Sequence, residues 1–206
     1  MLPGVLMLPF MLVWGMERWQ YDTVVTWAHL ISTSILVSWY IGIIGENFQS
    51  LHANRIKGRM VASSVAAGIV LAAVGELLWG ASIGAGVTVI PLRFDPVVDV
   101  GTLALFIGAV VLTPLVQEAF FRGVLQDHAK TSLSASGAIL VSGTAFALLY
   151  VTLFYYGNVA SMAVTIGFLL PQGYLLGYLY QRHDTIITPT IAHAIVNLYA
   201  FSYLFF

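Results

Sequence analysis

Six side chains in the second half of the sequence combine acid–base, charged and hydrogen-bonding groups, and four of them form pairs at helical spacing. They are Gln117, Glu118, Arg122, Tyr150, His193 and Asn197. Glu118 and Arg122 are four residues apart, as are His193 and Asn197, so on helices each pair would share a face. Carboxylates and imidazoles can move protons, and imidazoles and carboxamides can donate hydrogen bonds to developing negative charge. The same groups can equally form structural pairs between helices.

The segments that must position these residues are unusually apolar. The chain has 206 residues, of which 59% are hydrophobic and only 8% are charged, whereas soluble domains carry about 25% charged residues. This composition predicts an integral membrane protein, the alternative being a soluble helical bundle with an apolar surface. The net charge is −1 and the pI is near 6.5, which excludes a basic nucleic-acid footprint. The absence of cysteine excludes disulfides, thiolate metal sites and cysteine nucleophiles.

Hydrophobic stretches predict an all-α, polytopic transmembrane bundle of about seven spans, with six to eight allowed. The spans lie near residues 2–16, 23–45, 60–90, 100–121, 135–156, 159–180 and 186–206. We favour a retained first span over a signal peptide, because a basic n-region and an Ala-x-Ala-like cleavage site are missing. The third span contains Glu76 and a glycine-rich stretch, so it could break or re-enter. We predict one domain, with residues 1–99 of unassigned role and 100–206 as the motif-bearing core.

Lysine and arginine positions predict the orientation of the bundle. One face collects Arg55, Lys57, Arg59, Lys130 and Arg182, and the other only Arg18 and Arg93. The loops 46–59, 122–134 and 181–185 and the N-terminus are therefore predicted to be cytoplasmic. Small size and the lack of cysteine favour a prokaryotic plasma membrane.

Glycine and proline residues indicate close helix packing and local breaks. Glycines recur at GxxxG spacing, at Gly80 and Gly84 and again at Gly173 and Gly177, which lets helix backbones approach closely. Pro114 lies within a predicted span, as does Pro171, and a kink there would free backbone carbonyls inside the membrane.

Three short motifs resemble those of the CPBP family of intramembrane endopeptidases, which includes CAAX-processing, bacteriocin-processing and Abi proteins. The family pattern is EExxxR, then FxxxH, then HxxxN or HxxxD, each on a membrane helix. The sequence has QEAFFRG at 117–123, FALLY at 146–150 and HAIVN at 193–197, in the family's order. The resemblance covers roughly residues 100–200 and implies a CPBP-like core in the C-terminal half.

The resemblance also implies roles for the six residues. In the family, the first Glu activates a water, the His of FxxxH binds that water, and the last His and Asn stabilise the oxyanion. This chain has Gln117 and Tyr150 at the two water-binding positions. A carboxamide takes no proton from water at neutral pH, and a phenol with a pKa of about 10 is a poor base. The resemblance therefore implies an endopeptidase homologue, a hydrolase by family or a pseudoenzyme, with reduced or lost activity.

Alternative interpretations stay open for the function and for each site residue. Glu118 could be the surviving acid or base, or it could form only a structural ion pair with Arg122; His193 with Asn197 could be an interhelical pair, and Tyr150 could serve packing alone. The expected partners are the lipid bilayer and a membrane-embedded or prenylated peptide, as substrate or as client of a non-catalytic scaffold, immunity factor or chaperone. A small transporter or channel is the weakest alternative. We predict no cofactor and no metal, because Glu118 and His193 are too few ligands for zinc.

Overall fold

The computed structural model describes residues 56–85, 106–154 and 159–202 of the chain. It also describes Leu103 and a few helical positions between Ile31 and Trp39, but not the side chains of residues 150–154 and 161. The predicted span 2–16 and most of the span 23–45 lie outside the described residues.

Residues 56–85, 106–154 and 159–202 form five helices joined by turns or by segments that are not described, and these ranges contain no strand. These are α1 (Gly58–Gly84), α2 (Gly108–Lys130), α3 (Ala135–Phe154), α4 (Val159–His183) and α5 (Ile187–Ser202). The all-α prediction is confirmed for these residues. Their order and approximate positions agree with the last five predicted spans.

Three of these helices are long and apolar enough to cross a membrane: α1, α2 and the part of α4 from Met162 to His183. Within α3, the segment Ala135–Leu149 is apolar but shorter. The described part of helix α5 has 16 residues, Ile187–Ser202. The predicted total of seven spans is not tested by this part of the chain.

Helix α2 corrects the predicted end of the fourth span. We expected that span to end at residue 121 and a loop to follow over 122–134, but α2 continues to Lys130. Arg122 and Gln126, which fall within the range predicted to be a loop, are 0% exposed. Their polar groups bond to neighbouring helices, so they do not end the helix. Two stretches of α2, Gly108–Leu112 and Ala119–Gln126, are π-helical, a form often found at functional sites.

Helix α1 corrects a second expectation, because it continues without a break through Glu76 to Gly84. Glu76 is exposed and accepts a hydrogen bond of 2.8 Å from the hydroxyl of Tyr199 in α5. The GxxxG pair of Gly80 and Gly84 marks no contact with the other described helices, since a Cβ at either position would meet none of their atoms within 4 Å.

The second pair of glycines does lie at a helix contact. A Cβ at Gly173 of α4 would lie 2.6 Å from the carbonyl oxygen of Gly143 in α3. A Cβ at Gly177 would lie 3.0 Å from Oε1 of Gln126 in α2. Small residues at these positions therefore let α3 and α4 approach backbone to backbone, with α2 close beside them.

Helix α2 contacts α3, α4 and α5, while α1 packs against α4 and α5. At the junction of α4 and α5, Asp184 has a φ of 50°, and α5 begins at Ile187. This short turn lays α5 back along α4, where Leu176 and Ala192 pack together. The polar residues of α2 are thereby enclosed by the other helices.

Candidate functional site

Glu118 is the centre of a buried polar network between α2 and α5. Its side chain is 0% exposed. Oε2 accepts a hydrogen bond of 2.9 Å from Nε of Arg122, four residues along α2. Oε1 lies 2.8 Å from Nδ1 of His193 in α5, which is 75 residues away in the sequence. The structure therefore brings together three of the six predicted site residues in direct contact.

Arg122 connects this network to α3. It is fully buried, and Nη1 lies 3.3 Å from the hydroxyl oxygen of Ser142. Its guanidinium carbon is 5.5 Å from the centre of the Phe146 ring and 6.0 Å from that of Phe121, so aromatic faces also stabilise the cation. Nη2 is buried and has no hydrogen-bond partner among the described residues. Arg122 thus keeps one donor that a bound group could use.

Gln126 belongs to the same network, and the sequence analysis did not identify it. It is 0% exposed, and its Nε2 donates to the carbonyl of Gly177 in α4 at 3.1 Å. The Ser142 hydroxyl donates to its Oε1 at 3.1 Å. The available signal was its spacing, since Gln126 continues the four-residue interval from Glu118 to Arg122. It lay in the segment that we predicted to be a loop.

His193 is 1% exposed and is held by Glu118 on one side and by Phe146 on another. The rings of His193 and Phe146 meet edge to face, with centroids 5.6 Å apart. A carboxylate accepts hydrogen bonds, so Nδ1 carries the proton in the contact with Glu118. Nε2 can then accept a hydrogen bond when the ring is neutral, or donate one when the ring is protonated. The carboxylate thus fixes the tautomer of the neutral ring and the orientation of the ring, and therefore the position of Nε2.

Asn197 lies one turn further along α5 and makes a different contact. Its Nδ2 donates to the backbone carbonyl of Ala109 in α2 at 2.8 Å. His193 and Asn197 therefore both bond across to α2, and each reaches a different part of that helix.

Gln117 and Tyr150 occupy the two positions at which the sequence departs from the family pattern. Gln117 is 1% exposed and directly precedes Glu118 in α2. Tyr150 lies in α3, four residues after Phe146, and its side chain is outside the description. Within the described residues, no group of three or more His, Asp or Glu side chains could hold a metal ion.

Comparison with known families gives a match over the same part of the chain. The family described as Type II CAAX prenyl endopeptidase Rce1-like matches residues 99–199. That range includes α2 to α4 and the site residues of α5. Neither the curated proteins nor the solved structures give a match. The matched range, the helical architecture and the three ordered motifs agree, and through this second half the chain belongs to the CPBP/CAAX protease family.

Proposed function

We propose that this chain is an intramembrane homologue of the CAAX-type endopeptidases that holds a membrane-embedded or prenylated peptide at the Glu118 site, with peptidase activity reduced or lost. The observation that carries the proposal is that both oxygens of the Glu118 carboxylate are engaged, one by Arg122 and one by His193. The family match supports the class of protein and of ligand.

The engagement of Glu118 bears on catalysis because the other water-activating groups are substituted. Gln117 cannot accept a proton from water, and a tyrosine at position 150 is a poor base. Arg122 and His193 each bond to one oxygen and stabilise the negatively charged carboxylate, so Glu118 is a poor acceptor for a proton from water. Loss of general-base assistance reduces a rate by about 10²–10⁴. We therefore expect slow hydrolysis or none.

The groups that bind a carbonyl are less affected. Nε2 of a protonated His193 can donate a hydrogen bond, and Arg122 retains Nη2. In an interior of low dielectric, such donors bind a peptide carbonyl more strongly than they would in water. A site of this kind suits a non-catalytic scaffold, immunity factor or chaperone that retains a peptide or lipidated tail, and this is the second function that we consider.

We further propose a bundle of about seven spans in a prokaryotic plasma membrane, with the start of α1 and the ends of α2 and α4 on the cytoplasmic side. Lys57, Lys130 and Arg182 lie at these helix ends. Arg59 and Arg182 are both close enough to His183 to act on it electrostatically. This proximity of two basic helix ends supports the proposed orientation, since cytoplasmic ends tend to carry the excess of Lys and Arg.

Restoring the family residues tests the proposed loss of activity. Gln117→Glu and Tyr150→His are made singly and together, and the purified full chain is incubated in vesicles with prenylated and unprenylated membrane peptides. We expect no cleavage above background by the unmodified chain and measurable cleavage by the double variant, because it regains both water-binding groups.

Three results bear on the proposal. Cleavage by the unmodified chain that disappears in Glu118→Ala and in His193→Ala would overturn it. Photo-crosslinking of the prenylated peptide to the unmodified chain, reduced in His193→Ala, would support retention of the ligand site. Failure of both crosslinking and restored cleavage would refute the assignment of a peptide-binding site.

A further inference from the structure

Pro114 interrupts the backbone hydrogen bonds of α2 close to the site. At the end of the first π-helical stretch, the N–H of Thr113 donates to the carbonyl of Gly108, five residues earlier. The next bond in this register would run from residue 114 to the carbonyl of Ala109. Residue 114 is proline, which has no N–H. Ala109 is 2% exposed, so water is a poor substitute donor for this carbonyl.

Asn197 supplies the missing donor from another helix. Its Nδ2 lies 2.8 Å from the Ala109 carbonyl oxygen. Buried carbonyl groups nearly always have a hydrogen-bond partner, and leaving one without a partner destabilises the fold. The widened π-helical turn and the donated side-chain amide together accommodate Pro114 within a helix.

We propose that Asn197 is a positioning residue that replaces the backbone amide missing at Pro114 and thereby locks α5 to α2. Helix α5 then has two polar anchors on α2, one from Asn197 to Ala109 and one from His193 to Glu118. Sliding or rotating α5 would break both contacts. Asn197 therefore holds the His193 ring against Glu118, acting through α5 instead of on a ligand.

This inference is independent of the proposed function, because it concerns the assembly of the site whether or not a peptide is cleaved. It also differs from the oxyanion role that the family resemblance implies for Asn197. One of the two amide protons of Asn197 is directed at Ala109, and the role proposed here needs only that proton.

A double-mutant cycle tests whether the Asn197 side chain replaces the backbone donor to Ala109 that Pro114 lacks. In the full chain in nanodiscs, Asn197→Ala should lower the thermal midpoint by on the order of 5 °C, because one buried carbonyl loses its partner. Pro114→Ala gives Ala109 a backbone donor in either register, since residue 113 serves it in an α-helix and residue 114 in a π-helix. In that background, Asn197→Ala should lower the midpoint by less than half as much.

Tyr199→Phe is the matched control, since it removes a hydrogen bond between α5 and α1 instead of α2. Its effect on the midpoint should be the same with Pro114 or Ala at residue 114. Equal effects of Asn197→Ala in both backgrounds would overturn the inference. The inference would also be overturned if the effect of Tyr199→Phe on the thermal midpoint changed between the two backgrounds as much as the effect of Asn197→Ala.

Nuclear magnetic resonance on the unmodified chain provides a test that needs no stable variant. One amide proton of the Asn197 side chain should exchange with solvent much more slowly than the other, and equal, fast exchange of both would refute the contact. A second signal reports on positioning. The downfield resonance of the His193 Nδ1 proton should lose intensity in Asn197→Ala and regain it when Asn197→Ala is combined with Pro114→Ala. An unchanged resonance in Asn197→Ala would refute the positioning role, because Asn197 would then contribute only to stability.

Discussion

Replacing Glu118 by Ala tests whether the buried network holds the bundle together. The change removes the acceptor of both Arg122 and His193, leaving a guanidinium that is 0% exposed without its counter-charge. Removing one partner of a buried ion pair destabilises a protein by about 3–5 kcal/mol. For a chain of this length each kcal/mol lowers the thermal midpoint by roughly 2–4 °C, which gives a fall of about 6–20 °C.

The measurement is the melting of the full chain in one detergent at one heating rate, followed by intrinsic fluorescence. Glu76→Ala is the matched control, because it removes an exposed carboxylate whose one hydrogen bond among the described residues is with Tyr199. Its fall should be much smaller. If Glu118→Ala melts no lower than Glu76→Ala, the network does not stabilise the fold and the reasoning is wrong.

A paired replacement separates the loss of a contact from the burial of an unbalanced charge. Glu118→Leu with Arg122→Met removes both charges and leaves apolar side chains of similar length. Replacing a whole buried ion pair by apolar residues is often nearly neutral. The double variant should therefore melt closer to the unmodified chain than Glu118→Leu alone, and a lower midpoint for the double variant would contradict the electrostatic explanation.

Two further predictions concern packing around α4. Gln126→Leu should lower stability by about 1–3 kcal/mol, because the buried Gly177 carbonyl loses its side-chain donor; an unchanged denaturation midpoint would contradict this. Gly173→Ala should lower the yield of folded chain and its melting midpoint, because the new Cβ would lie 2.6 Å from the Gly143 carbonyl oxygen. The matched change Gly167→Ala, in the same helix and with no described atom within 4 Å of its Cβ, should have little effect. Equal behaviour of the two alanine variants would refute the proposed backbone contact.

Local patterns in the sequence predicted the helices and the pair within α2. Long apolar stretches give the helices, and a four-residue interval places Glu118 beside Arg122 on one face. The contact of Glu118 with His193 joins residues that are 75 apart. Spacing alone cannot predict such a contact, and only the family resemblance suggested that the two residues share a site.

Other features could not be predicted because their cause is tertiary. Gln126 and Ser142 are ordinary polar residues in the sequence, and their partners lie on other helices. The π-helical stretches of α2 have no sequence pattern of their own, and we expected a loop over part of the second stretch. Pro114 did indicate a freed carbonyl, but the donor, Asn197, is distant in the chain.

The glycine contact between α3 and α4 limits how this bundle could open. Side chains can change rotamer and clear a path within nanoseconds, but two backbones in contact can separate only if whole helices move apart. At Gly143 and Gly173 the contact is between backbones, so α3 and α4 could separate there only by moving as whole helices. For the proposed ligand of Glu118, we therefore expect entry between other helices, where the contacts are made by side chains that can change rotamer.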